Sequence, residues 1–278
     1  MYFIDRAESL DTIKPYNFQY YPKEVIPRHN FTFSQSTVRV QDMRSLTPEP
    51  SLDTEGFAIY NVPTTMMRPD FANDTKVQDL YCREIEKYFF EALGAKHIRA
   101  LDYQIRRKVA GFPSFTGKHP GIPQPSLLTH VDVTADAAKA IVHELFEGLA
   151  DRILQARYQI ITVWRPFEQP VRDWPLAICD ARTVDTADLI PSDVIYPTFV
   201  TENYLAHYNE QNQWYWLPDH KPNEVLVFKA LDSAQPDSFP CVHGAFPHPQ
   251  QDETAPARES IDMRLLVLYA DLEYPGFE

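Results

Sequence analysis

Leu127-Leu128-Thr129-His130-Val131-Asp132-Val133 is the stretch on which the reading of this chain turns. Its apolar, β-branched composition suits a strand. On a strand, residues i and i+2 leave the same face, so His130 and Asp132 project together while Val131 turns away. One imidazole and one carboxylate on one face can share a metal ion, and a third ligand has to come from elsewhere. His243, in Cys241-Val242-His243-Gly244-Ala245-Phe246, is selected because Gly244 permits close backbone approach and a strand precedes it by a short loop.

Two histidines and one carboxylate on a triangular face leave three positions of an octahedral Fe(II) open. Those positions suit a bidentate 2-oxo acid and O2. A ligand set without thiolate points to iron rather than to a structural zinc site. His248, close behind His243 in a proline-rich loop, is the rival ligand, and the sequence around His29, His97, His119, His143, His207 and His220 offers no comparable arrangement of ligand residues.

Downstream of His243, Arg258, Ser260, Asp262 and Arg264 share parity on the last long strand and face one side. Two guanidinium groups on a buried face need an anion or paired carboxylates. The 2-oxoglutarate dianion is such a partner, since a planar guanidinium grips a carboxylate bidentately and a serine hydroxyl adds a hydrogen bond. Arg258 and Ser260 are assigned to its distal carboxylate, and Arg264 to its metal-proximal end or to the substrate. The competing reading is an exposed face on which Glu259, Asp262 or solvent satisfies both arginines.

Further substrate-binding candidates are Tyr103, Gln104 and Arg106 on the strand before the metal strand, Arg165 between Trp164 and Pro166, Lys229 within an apolar strand, and Trp216 of the Trp214-Tyr215-Trp216 cluster. Each has a plainer role open to it. Arg165 can pair with Asp173 or Asp180, Lys229 needs only a buried anion, and the tryptophans can pack as core or rim.

Around these positions the chain reads as short strands joined by stiff connections, with 24 prolines against 8 glycines. Strands are expected at 103–109, 158–164, 175–184, 203–209, 213–217, 224–230 and 260–270, with 203–209 and 213–217 paired as a hairpin across Asn209-Glu210-Gln211-Asn212. Amphipathic helices are expected at 76–95, stopped by Gly94, and from a Thr134 or Asp136 cap through Ile153. Residues 1–70 look irregular and extended, an arm wrapping the core. Late strands and early helices favour a mainly β double sheet with flanking helices, a jelly roll or double-stranded β-helix, over alternating βαβ units.

The 278 residues fit one β-rich domain. With 26 basic against 39 acidic residues the net charge is −13, which repels nucleic acid and anionic membranes. No apolar run is long enough to span a bilayer, and Met1-Tyr-Phe-Ile-Asp-Arg has no signal-like pattern. Cys82, Cys179 and Cys241 lack CxxC spacing and suit reduced thiols. The expectation is a cytoplasmic monomer or homodimer acting on a small molecule, without nucleic-acid or membrane partners.

Three runs taken in order carry a family resemblance: Asn223-Glu-Val-Leu-Val-Phe-Lys229-Ala-Leu-Asp-Ser233, His243-Gly-Ala-Phe246 and Arg258-Glu-Ser-Ile-Asp-Met-Arg264. With Val163-Trp-Arg-Pro166 and Pro170-Val-Arg-Asp-Trp-Pro-Leu-Ala-Ile-Cys-Asp180, the sequence resembles the fungal hydroxylase/desaturase family typified by AsaB and by CmcJ-like cephamycin methoxylation proteins, over roughly residues 55–270. The arginine spacing is also similar to that of the demethylase AlkB, an analogy of site alone. Tyr103-Gln104 stands where many relatives are expected to carry a histidine, and Gly244 where threonine is commoner. The resemblance implies a jelly roll binding Fe(II) and 2-oxoglutarate, and with O2 the hydroxylation, desaturation or oxidative cyclisation of an unactivated C–H centre in fungal secondary metabolism. Two alternatives are an iron oxidase that never uses 2-oxoglutarate and a non-catalytic metal-binding subunit of a biosynthetic complex.

Overall fold

The β-branched and aromatic runs form fifteen strands among the described residues, which in this computed structural model are 1–23, 26–113, 121–167, 170–234, 240–248 and 255–272. In chain order they are β1 (Tyr2–Ile4), β2 (Tyr16–Phe18), β3 (Phe33–Gln35), β4 (Val40–Asp42), β5 (Phe57–Asn61), β6 (His97–Arg107), β7 (His130–Val131) and β8 (Tyr158–Pro166). There follow β9 (Leu176–Cys179), β10 (Leu189–Ile195), β11 (Val200–Ala206), β12 (Trp214–Trp216), β13 (Glu224–Asp232), β14 (His243–Ala245) and β15 (Glu259–Leu268). One sheet runs β2-β10-β11-β7-β14-β9-β12-β4, a second runs β5-β13-β8-β15-β6, and β1 pairs with β3.

The two large sheets form a jelly roll. Phe57, Trp164, Leu226 and Phe228 of the five-stranded sheet share a core with Ile178 and Tyr215 of the eight-stranded one. The period of two sorts each strand between layers. On β8, Thr162 and Trp164 face this interior, whereas Ile161, Val163 and Arg165 face the opposite side.

That outer side is covered by the first expected helix. It runs as α1 (Asp74–Lys76), a π turn over Val77–Tyr81 and α2 (Cys82–Ala92). The Asn73 side chain accepts the Lys76 N–H at its start, and Gly94 at φ 60° terminates it. Val77, Tyr81, Ile85 and Phe89 then bury against Val163, Val227 and Ile261. The second expected helix is two: α3 (Ala135–Leu145), capped by Thr134 rather than Asp136, and α4 (Ala150–Gln155). Gly148, at φ 82°, turns the chain between them, so the stripe from Ala138 to Ile153 packs as two short segments.

Three expectations need correction. The 203–209 and 213–217 strands do not form a hairpin. Asn209 does build a turn, accepting the Gln211 N–H at 2.9 Å, but β11 already has β10 on one edge and β7 on the other. No edge is left for β12, which pairs with β9 and β4 instead. The 175–184 strand ends at Cys179 because the Asp180 carboxylate caps a 3-10 turn, accepting the Arg182 N–H at 3.0 Å. Residues 1–70 are not simply irregular, since β1 to β5 lie within them, with β2 and β4 on opposite edges of the eight-stranded sheet and β5 on an edge of the other.

His220, in the connection to β13, is 3% exposed, with its ring 5.0 Å from that of Trp164 and Nε2 2.9 Å from the Glu224 carbonyl. Burial pushes its pKa down to about 4. The folded chain therefore keeps it neutral, while an unfolded histidine takes a proton near pH 6.5. Its contribution to stability is complete above pH 6.5 and is lost as pH falls from there toward 4. Urea unfolding at pH 7.5 and pH 5 is expected to show the acid-side loss shrinking by about 2 kcal/mol in His220→Gln. Equal losses in both proteins would refute this.

Candidate metal centre

Strands β7 and β14 are neighbours, and His243 is the direct antiparallel partner of His130. Opposed residues of such a pair leave the same face, and the two imidazole centroids stand 4.3 Å apart. Asp132, two positions on from His130, completes the group. Its Oδ1 lies 3.4 Å from His130 Nε2 and 3.6 Å from His243 Nε2. All three donor atoms fall within 4.8 Å of one another. Gly244 lets Thr129 and Met1 pack close to β14, since a Cβ there would stand 3.3 Å from Thr129 Cγ2 and 3.4 Å from Met1 Cε.

Hydrogen bonding orients both rings. His130 Nδ1 is 2.8 Å from the Leu128 carbonyl and His243 Nδ1 is 3.2 Å from that of Cys241. A carbonyl can only accept, so each Nδ1 carries a proton, and each ring turns Nε2, the nitrogen that would ligate a metal, toward Asp132. Burial, then the neighbouring His243, pushes the His130 pKa down. Burial also raises the Asp132 carboxyl, but the His243 and His130 imidazoles outweigh it and hold the group well below the usual range. Neutral imidazole and ionised carboxylate are the forms that bind a divalent cation, and two nitrogens with one hard oxygen fit Fe(II).

Beside this group lies the inner face of β15. Arg258, 4% exposed, donates from Nη1 to the Trp174 carbonyl at 2.6 Å and from Nε to Ser260 Oγ at 3.3 Å, with its guanidinium 5.1 Å from the centre of the Trp164 ring. Trp174 takes φ 45°, a region non-glycine residues rarely occupy, in presenting that carbonyl. Among the described residues, no carboxylate stands within ion-pair distance of Arg258. Burial and then Arg106 push its pKa down to about 9.

The other inner arginines have partners. Arg106 binds Asp262 through two hydrogen bonds of 2.8 and 3.1 Å. Arg264 pairs with Asp102, its Nε 2.8 Å from Oδ1, and its Nη1 reaches the backbone carbonyl of Asp132 at 3.4 Å. The expected use of Arg264 on cosubstrate or substrate thus meets a side chain already committed to Asp102, and Glu259 is taken by Arg68 and Arg107 instead.

The substrate-binding candidates divide by strand face. Gln104 and Arg106 face inward, opposite Asp262 and Ser260. Tyr103 faces outward and donates to Asp74. Arg165 also faces outward, donating to the Val62 carbonyl at 2.6 Å with its guanidinium 5.4 Å from the Tyr81 ring centre, and pairs with neither Asp173 nor Asp180. The side chain of Trp216 leaves the face opposite His243 and packs on Phe246 and His248, which places His248 away from the three ligands. Lys229 is buried, and its electrostatic neighbours, Asp232, Cys241, Asp53 and Arg157, are not the proposed ligands. His119 lies outside the described residues. The sequence reading missed Thr162, whose hydroxyl donates to Asp132 Oδ2 at 2.5 Å, and the signal for it was a polar residue inside the apolar run of β8.

In this chain Met1 Cε and Thr129 Cγ2 fill the space a side chain at 244 would need, so a β-branched residue there is expected to push Thr129, and β7 with it, away from β14. Gly244→Val should lower the affinity for Co(II) about 10-fold and cost about 1 to 3 kcal/mol of stability. Metal titration and thermal unfolding check this, and unchanged Co(II) binding would contradict it.

The family described as "Oxidoreductase/YMDC permease-like domain" matches residues 1–268. Among the described residues, no helix is long and apolar enough to cross a membrane. The chain is 32% identical over 251 residues to "Fe(II)/2-oxoglutarate-dependent dioxygenase nvfI" of Aspergillus novofumigatus, covering 88% of each. It is 29% identical to "Hydroxylase/desaturase efuI" of Hormonema carpetanum, over 87% of this chain and 86% of that one. It is 31% identical to "Hydroxylase/desaturase asaB" of Aspergillus flavus over 49% of this chain and 66% of that one. A solved structure of "iron and alpha-ketoglutarate-dependent endoperoxidase NvfI" superposes with a TM-score of 0.84 at 29% identity, covering 98% and 97% of the two chains. Sequence, fold and ligand geometry agree, and the chain belongs to this oxidoreductase family, the AsaB and CmcJ-like family of Fe(II)/2-oxoglutarate-dependent oxygenases.

Proposed function

We propose that the chain oxidises an unactivated C–H bond of a small molecule of secondary metabolism, with His130, Asp132 and His243 holding Fe(II), and with 2-oxoglutarate and O2 as cosubstrates. The observation that carries this reading is the convergence of the three side chains within 4.8 Å, on the same interior as a guanidinium that has no carboxylate partner among the described residues. Bound iron with 2-oxoglutarate supplies O2 activation, coupled to release of succinate and CO2.

The chain's own residues bind and orient. Arg258 is assigned to the distal carboxylate, with Ser260 beside it, because Arg106 and Arg264 are neutralised by Asp262 and Asp102. Trp164 gives the guanidinium a flat apolar floor, and Asp173 fixes its backbone, accepting the Arg258 N–H at 3.1 Å while pairing with Lys108. Gln104 and Arg106, on the inner face of β6, are assigned to the substrate side. Arg264 is assigned to a structural part, pinning the Asp132 backbone to β15. The whole chain is taken as one oxygenase domain whose first 70 residues form an arm edging both sheets, and as a cytoplasmic monomer or homodimer.

With Fe(II), 2-oxoglutarate and O2, the protein is expected to release succinate, and His243→Ala to release none above background. Arg258→Met should weaken 2-oxoglutarate binding by about 100-fold or more, since it removes charge-assisted hydrogen bonds worth about 1.5 to 3 kcal/mol each. Iron-dependent substrate oxidation without succinate would overturn the assignment in favour of an oxidase that takes all its electrons from substrate.

A further inference from the structure

The two oxygens of Asp132 are not equivalent. Oδ1 faces both imidazole Nε2 atoms, at 3.4 and 3.6 Å. Oδ2 accepts the hydroxyl of Thr162 at 2.5 Å. Thr162 belongs to β8 in the opposite sheet, is 2% exposed, and stands in register between Phe228 of β13 and Arg264 of β15. Phe228 in turn packs 4.5 Å from the His243 ring, and Arg264 reaches the Asp132 carbonyl. Asp132 is thus held by the five-stranded sheet at one carboxylate oxygen and at its backbone carbonyl, while it directly follows β7 of the other sheet.

We propose that Thr162 is a positioning residue for the metal centre: by holding Oδ2 it makes Asp132 a one-oxygen ligand through Oδ1. This rests on the reading of the three residues as an Fe(II) site. A carboxylate released from Thr162 can turn and chelate with both oxygens, as carboxylates do with divalent cations. That would occupy one of the three positions needed for a bidentate 2-oxo acid and O2. The β-branched threonine suits the part because its χ1 is stiff and its methyl group fills the apolar surroundings. Outer partners of this kind typically change metal affinity 10- to 100-fold when removed.

The test compares Thr162→Val, Thr162→Ala and Thr162→Ser with the unaltered chain under anaerobic conditions. Fe(II) and Co(II) affinities are measured by titration, and 2-oxoglutarate binding by the visible charge-transfer band of its iron chelate. Thr162→Val and Thr162→Ala, which remove the hydroxyl with and without conserving volume, are expected to shift metal affinity about 10- to 100-fold and to form the chelate band weakly. Thr162→Ser should stay within about 3-fold of the unaltered chain, because it keeps the donor. Unchanged metal affinity and chelate band in Thr162→Val or Thr162→Ala overturn the proposal. So does an equal shift in Thr162→Ser, which would assign the effect to the methyl group. His243→Ala in the same titration separates this from the parent reading. If it binds iron as the unaltered chain does, the Fe(II) site itself is wrong. If it fails to bind while Thr162→Val binds normally, only the role of Thr162 falls.

Discussion

The backbone pairing of His130 with His243 is the constraint on which the site depends, and the structure spends much of its connectivity securing it. Strand β7 is two residues long and cannot hold its own register. It is fixed by β11 on one side and β14 on the other. Thr129, just before it, donates its backbone N–H and its hydroxyl to the Tyr2 carbonyl at 2.9 and 3.0 Å, while its own carbonyl accepts from Ala206 at 3.1 Å. The N-terminal strand, far from the site in sequence, is therefore part of what aims the metal strand. Gly244 leaves room on the opposite face of β14 for Thr129 and Met1 to pack against it.

A second constraint is the placing of charge inside a closed β interior. Burying an ion costs several kcal/mol unless a partner repays it, and the interior between the two sheets observes this rule pair by pair: Arg106 with Asp262 and Arg264 with Asp102 on the five-stranded sheet, Asp132 against two imidazoles on the eight-stranded one. Arg258 departs from it among the described residues, held by a carbonyl and a hydroxyl and pressed by Arg106. Natural proteins tend to break such local rules where they function, and here the departure stands on the interior that also holds the three metal-ligand candidates. The left-handed backbone of Trp174, whose carbonyl meets Arg258, is a second irregularity at the same place.

Much of this was legible from residue order. Short-range periodicity fixes which side chains share a strand face, so His130 with Asp132 and Arg258 with Ser260 followed directly from the period of two. The long strands β8, β13 and β15 and the first helix were legible for the same reason, as repeated apolar positions dominate their energetics. The 203–217 hairpin was misread because turn chemistry at Asn209 is local, whereas pairing is decided by which sheet edges remain free. That the side chains of Tyr103, Arg165 and Trp216 leave the outward faces could not be read from residue order, because parity tells which residues go together but not which face is the inner one.

Residue order alone thus carries the ligand chemistry and the strand-level grouping, because both are encoded within a few neighbouring residues. The folded arrangement alone shows that Arg106 and Arg264 are neutralised while Arg258 has no carboxylate partner among the described residues, and that Thr162 meets Oδ2 of Asp132. Those facts depend on contacts between strands distant along the chain, and no local pattern carries the distance between two sheets.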